Sequence, residues 1–174
     1  MSEDSRKDAT FYVQRHLRFG WWFLLGFLTL GMLLEAFHAF KVSWYLSVAN
    51  ETRRMMWVLA HTHGTLLALV HLAFSATLYI APETAAGWRR VISLSLTGAT
   101  ILLPGGFLLG GIFHHGGDPG LGVILVPVGA ILLIAAVFLI ARGQAAMPTG
   151  SVESSVEANS TGKKRHRRSS AESD

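Results

Sequence analysis

The chain has 174 residues, of which 51% are hydrophobic and only 15% are charged. Its 15 Lys and Arg residues outnumber its 11 Asp and Glu residues. Cysteine is absent, which excludes disulfides and thiolate metal ligands. Charges this sparse argue against an ordinary soluble domain, because the apolar residues gather in long blocks.

Four apolar blocks predict four membrane-spanning helices. Each block reaches the ~20 residues that a helix needs to cross a hydrocarbon core of ~30 Å. The blocks are Phe19–Phe40, Trp57–Ala81, Val91–Phe113 and Leu121–Ala141. None alternates with period two, so a β-barrel is not expected. We predict an all-α polytopic membrane protein. A cytoplasmic segment at 1–18 precedes a four-helix transmembrane domain at 19–142, and a disordered basic tail follows at 143–174.

The placement of Lys and Arg predicts the orientation. Basic residues concentrate before the first block, in the second loop and after the fourth block, whereas the third loop has none. The positive-inside rule therefore puts both termini in the cytoplasm, and we expect a bacterial inner membrane. Lys41, Arg53 and Arg54 in the first loop are a smaller contrary signal. The first block is longer than a signal-peptide core, so we expect it to remain in the mature protein.

The first block carries Glu35 and His38 near its end, three residues apart on one helical face. Ionisable side chains are costly in hydrocarbon, so those found in a span usually have a function. We predict Glu35 as a catalytic acid or base, or as the group that orients a metal-bound histidine. The alternative is a Glu–His hydrogen bond between helices, without a ligand.

The second block carries three histidines. His61 lies ~6 Å inside the outer boundary, on a stripe of small and polar residues that should pack against other helices. His63 points about 160° away from His61, so the pair cannot easily serve one centre. His71 lies ~20 Å deep, where a charge is most costly. It is either a second cofactor-binding histidine or a neutral, hydrogen-bonded core residue.

The third block is rich in glycine and ends in a turn that carries His114 and His115. Pro104 should kink or loosen this helix, and Gly106 and Gly110 should let another helix approach closely. The two histidines are either further metal ligands or interfacial residues in contact with headgroups.

These positions predict one site near the outer membrane face. The expected metal ligands are His61, His38, Glu35, His114 and His115. Imidazole and carboxylate groups suit transition metals, and histidine is also an axial ligand of haem. We predict a haem or metal centre with His61 as its chief ligand and His71 as the second cofactor-binding residue. A transition-metal ion instead of haem, or no cofactor, is the alternative.

The segment Trp57–Leu67, with an Ala-His pair followed by glycine and small residues, resembles the second-helix motif of the hydroxylaminobenzene mutase and styrene oxide isomerase families. These small four-helix membrane isomerases are also similar in length and in their Gly-rich third helix. The resemblance implies an oligomer of such subunits with haem b on His61. The iron would act as a Lewis acid on an oxygen of a small aromatic substrate, without net redox change. The family carries Asn six residues after the histidine, where this chain has Leu67.

Two other functions are open. A non-catalytic bundle that packs with partner membrane proteins would use the same small-residue faces. Proton or ion movement along His61 and His71 is the third alternative. The partners that we expect are membrane lipids and further copies of the chain. The basic run at 163–168 favours lipid headgroups, and we do not expect a nucleic-acid partner. Nucleotide-binding, nucleophile-elbow and zinc-protease motifs are missing from the sequence.

Overall fold

The computed structural model describes residues 3–115 and 117–145, with side chains from residue 6 onward. This part of the chain is helical and contains no β-strand. The elements are α1 Glu3–Ala39, a short α2 Ser43–Leu46, α3 Glu51–Ile80, α4 Arg89–Ile112 and α5 Leu125–Ala145. Helices α1, α3, α4 and α5 are each long and apolar enough to cross a membrane, which confirms the predicted four-helix, all-α class. The predicted disordered tail lies outside the described residues from position 146 onward.

Helix α1 begins well before the first apolar block. It is 37 residues long and starts at Glu3, so the predicted cytoplasmic segment continues directly into the apolar helix. Neither glycine nor proline occurs between Glu3 and Phe19, so no residue interrupts the helix there. Within this polar stretch Ala9, His16 and then Gly20 are buried at helical spacing. This buried stripe extends the packing of α1 beyond the apolar block.

Successive long helices run in opposite directions. The start of α1, the end of α3, the start of α4 and the end of α5 lie together, and we call this the terminus end. The other end holds the end of α1, the start of α3, the end of α4 and the start of α5, and we call it the His61 end.

Helices α3 and α4 form the centre of the bundle. About 39% and 44% of their most apolar stretches are buried, against 17% in α1 and 11% in α5. A single core cluster joins α3, α4 and α5. Its buried members are Leu67, Phe74, Leu78, Ile92, Leu96, Ala99, Leu103 and Ala136. Helix α1 packs mainly on α3. Both α1 and α5 expose many large apolar side chains.

Close contacts between helices occur at glycines. A Cβ on Gly20 of α1 would lie 2.8 Å from Leu72 Cδ2 of α3, and one on Gly129 of α5 would lie 2.7 Å from the backbone nitrogen of Leu103 in α4. A Cβ on Gly106 would lie 2.9 Å from Val126 Cγ2, which confirms the predicted close approach there. Gly110 is different, because its nearest contact would be an ordinary 3.7 Å. Small residues at such points let helices pack without a driving force from water.

Candidate functional site

The predicted metal-binding residues lie toward the His61 end, but the structure does not gather them into one ligand set. In the described part of the chain, no three His, Asp or Glu side chains converge as a metal-binding group. Each of the predicted residues has a separate environment.

His61 is held between α3 and α1 by its ring. Its Nδ1–H donates to the backbone carbonyl of Phe27, at 2.7 Å. The ring lies against Gly31, where a Cβ would come within 2.7 Å of each ring nitrogen. Because Nδ1 carries the proton, Nε2 has the free lone pair, and it makes no hydrogen bond to any described residue. A backbone bond at one nitrogen that leaves the other nitrogen free is the usual arrangement of a metal-bound histidine.

Glu35 and His38 lie on the end of α1, beside Tyr45 of α2. Both α1 side chains are exposed, and the His38 ring meets the edge of the Tyr45 ring at 5.5 Å. Tyr45 is 1% exposed, and its hydroxyl has no hydrogen-bond partner in the described chain. Burial raises the pKa of the Tyr45 phenol, whereas Arg54 opposes that rise and Glu35 adds to it. Glu35 therefore lies close enough to influence a buried phenol that was not among the predicted residues.

His114 and His115 use their ring nitrogens in local contacts. Arg53 donates from Nη2 to His114 Nδ1 at 3.4 Å, and His114 Nε2–H donates to the Ala49 carbonyl at 3.4 Å. The His115 Nδ1–H donates to the Phe113 carbonyl at 3.0 Å. A guanidinium at one ring nitrogen of His114 disfavours a metal cation there.

His63 lies on the other side of α3 from His61. Its Nδ1–H donates to the Leu59 carbonyl of its own helix at 2.8 Å, and its ring packs on Phe107 of α4 at 5.0 Å. His61 contacts α1 and His63 contacts α4, so the two rings face different helices, as predicted.

His71 belongs to a second polar cluster, which lies toward the terminus end and far from His61 along α3. His71 Nδ1 lies 2.6 Å from His16 Nδ1, and both residues are fully buried. The outer nitrogens bond hydroxyls of α4, from His16 Nε2 to Ser93 and from His71 Nε2 to Thr100, each at 3.0 Å. We call His16, His71, Ser93 and Thr100 the buried histidine network. It joins α1, α3 and α4.

The hydrogen bonds of this network fix the positions of its protons. The Thr100 hydroxyl donates to the Leu96 carbonyl, at 2.8 Å, so its oxygen must accept from His71 Nε2–H. The neutral His71 ring then accepts at Nδ1, and His16 Nδ1–H is the donor. His16 Nε2 in turn accepts from the Ser93 hydroxyl. Every ring nitrogen is satisfied with both rings uncharged, as burial in an apolar bundle requires.

The network supports the second of the two interpretations of His71, a hydrogen-bonded core histidine. With both nitrogens occupied, His71 offers no free lone pair to a cofactor. His16 was not among the predicted residues, because it lies in a polar stretch outside the apolar blocks. Its spacing from Ala9 and Gly20, at seven and four residues, is the helical signal that could have found it.

A further ion pair lies at the terminus end. Arg89 is 2% exposed and donates from Nη1 to Asp8 Oδ2 at 3.0 Å, and its Nη2 donates to the Pro82 carbonyl. The pair ties the start of α1 to the start of α4.

Comparisons with known proteins add no family. No family model matches the chain, and no curated protein or solved structure matches it significantly. The resemblance to the membrane isomerases therefore stays a prediction. Leu67, which replaces the Asn of that motif, is 1% exposed in the core cluster. It faces away from the His61 ring, about 120° around α3.

Proposed function

We propose that this protein is an integral membrane protein with both termini on the cytoplasmic face of a bacterial inner membrane. Four long apolar helices support insertion, and the excess of basic residues at the terminus end supports the orientation. Two of the three contrary cations at the His61 end, Arg53 and Arg54, are engaged by the protein itself. Arg53 stacks on Trp44 at 4.9 Å and donates to the Gly111 carbonyl, and Arg54 donates to the Tyr45 carbonyl.

Within that membrane protein, we propose that His61 binds haem b as an axial ligand. The observation that carries this proposal is the 2.7 Å hydrogen bond from His61 Nδ1–H to the Phe27 carbonyl, which leaves Nε2 free. Gly31 supports it, because a side chain there would fill the space that the ring occupies. A bare transition-metal ion fits less well, since it needs several ligands and the described residues offer no such group.

The haem would need a second protein surface. His61 would bind only one face of the haem, and its side chain is half-buried between α1 and α3. We therefore propose a homo-oligomer, in which a further copy covers the remaining face. Bound haem would supply a Lewis acid or a redox centre.

An isomerase acting on a small aromatic substrate is the reaction that the resemblance implies. The buried Leu67 offers no polar group for it. An acid–base step would then fall to Glu35, which is exposed and affects the ionisation of Tyr45. The competing proposal is a non-catalytic bundle, and the satisfied buried histidine network suits it because that network needs no ligand.

The test compares three proteins purified in detergent: wild type, His61→Ala and His63→Ala. We expect a Soret band and about one haem per subunit in wild type and in His63→Ala, and neither in His61→Ala. His63 is the matched control because it lies two residues away and faces α4 instead of α1. Wild type without a Soret band after haem supplementation would overturn the haem proposal and favour the non-catalytic bundle.

A further inference from the structure

We propose that a groove on the outer surface of α1, at the terminus end, binds the headgroup of an anionic phospholipid. The groove has a volume of about 430 Å³. Its lining combines two cations with aromatic rings, and its main members are Phe11, Arg15, Arg18, Phe19, Trp22 and Phe23. This proposal rests on the membrane insertion proposed above and is independent of haem.

The two cations supply the charge that an anionic headgroup needs. Arg15 and Arg18 are three residues apart, so their side chains leave α1 on neighbouring positions of one face. Both are exposed, and neither forms an ion pair or a hydrogen bond through its side chain with another described residue. Arg89 is the contrast, because its guanidinium already binds Asp8. Guanidinium groups bind phosphate in a bidentate manner, so the phosphodiester of a lipid headgroup fits this pair of cations.

The depth of the groove points to a lipid. Arg18 immediately precedes the apolar block that begins at Phe19. Side chains on a helix lean toward its N-terminus, and arginine extends its charged end toward water, so the two guanidinium groups would reach the lipid headgroups although His16, between them, is buried in the bundle. Trp22 is 69% exposed and Phe11 is 58% exposed. Aromatic rings of this kind lie at the membrane interface, where they contact the glycerol and upper acyl region. No carboxylate lines the groove in the part of the chain that the structure describes.

The groove also contacts the residues that enclose the buried histidine network. Phe19 lines the groove, and its ring lies 4.8 Å from that of His71 and 4.2 Å from that of Phe23. A lipid in the groove would hold Phe19 against His71, so binding should stabilise the contact between α1 and α3. The proposal therefore predicts thermal stabilisation as well as binding.

The experiment measures lipid binding by native mass spectrometry and thermal unfolding in detergent. The probes are phosphatidylglycerol and phosphatidylcholine, and the variant is Arg15→Gln/Arg18→Gln. The matched control is Arg90→Gln/Arg142→Gln, which removes two exposed cations elsewhere at the terminus end. We expect wild type and control to prefer phosphatidylglycerol and to gain Tm with it. The groove variant should bind phosphatidylglycerol on the order of thirty-fold more weakly, as two surface cations predict.

Three outcomes would overturn the lipid site. They are equal binding of both lipids by wild type, an equal loss in the control variant, and an unchanged affinity in the groove variant. Carbonate extraction of membranes separates this failure from failure of insertion, because a protein that is not inserted would leave the membrane fraction in wild type as well. If the double variant does not fold, the single variants Arg15→Gln and Arg18→Gln should each lose about fivefold, and no loss in either contradicts the proposal.

Discussion

His16 Nδ1 and His71 Nδ1 lie 2.6 Å apart inside the bundle, and each ring bonds a hydroxyl of α4 through its other nitrogen. Two residues 55 positions apart in sequence thus belong to the same buried histidine network. Because water is excluded there, removing one member leaves another without a partner. The network is therefore a specific link between α1, α3 and α4, where apolar packing alone would leave their rotation less defined.

The first prediction concerns the coupling within this pair. His71→Leu leaves the His16 Nδ1–H without an acceptor, and we expect a loss of about 1–3 kcal/mol in the free energy of unfolding. His16→Leu should cost a similar amount. The double variant removes both polar groups, so its loss should be smaller than the sum of the single losses by at least ~0.6 kcal/mol. Unfolding in detergent measures all three proteins.

The control for this cycle is Thr62→Val. The Thr62 hydroxyl is exposed and bonds only the Val58 carbonyl of its own helix, so its removal should change stability by less than ~0.5 kcal/mol. Strictly additive losses in the histidine cycle would show that the two rings are not coupled.

The second prediction concerns the packing of the His61 ring against Gly31. In Gly31→Ala the new Cβ would collide with the imidazole, so the ring must move and its bond to the Phe27 carbonyl should break. Haem content should then fall severalfold, even though every histidine is retained. Gly26→Ala is the control, because a Cβ there would meet nothing within 4 Å. Equal haem content in both variants would contradict haem binding by His61 in this position.

The third prediction concerns the contact between α4 and α5. A Cβ on Gly129 would lie 2.7 Å from the Leu103 nitrogen and 2.8 Å from Leu103 Cβ. Since backbone cannot move aside as a flexible side chain can, Gly129→Ala should destabilise the protein by about 1–3 kcal/mol. Gly105→Ala, on α4 itself, would meet nothing within 4 Å and should be neutral or slightly stabilising. Thermal unfolding compares the two, and an equal effect would refute the close approach at Gly129.

The four long helices could be predicted because an apolar block of membrane length has few alternatives to a helix. The start of α1 could not be predicted in the same way. Between Glu3 and Phe19 most residues are polar, and the buried face is only a narrow stripe that includes Ala9 and His16. A search for long apolar blocks passes over such a stripe, although a search for helical period does not.

The candidate site shows a different limit. Position along each helix correctly placed Glu35, His61 and His114 toward one end of the bundle. Whether these side chains meet depends also on how each helix is rotated about its axis relative to its neighbours. The sequence shows only which residues share a face of the same helix. His61 therefore faces α1, His114 binds Arg53 and Glu35 lies near Tyr45, a residue of the short α2 whose burial depends wholly on tertiary packing.

Membrane insertion is the claim on which the haem and lipid proposals both depend, and the orientation proposed with it puts both termini inside. The chain has no cysteine, so single cysteines report accessibility without background. Ser43, the first residue of α2, and Glu83, between α3 and α4, are both exposed. In intact spheroplasts, a membrane-impermeant maleimide should modify Ser43→Cys but not Glu83→Cys, and permeabilisation should expose both. Labelling of Glu83→Cys alone would reverse the orientation, and labelling of both in intact spheroplasts would contradict a four-span protein.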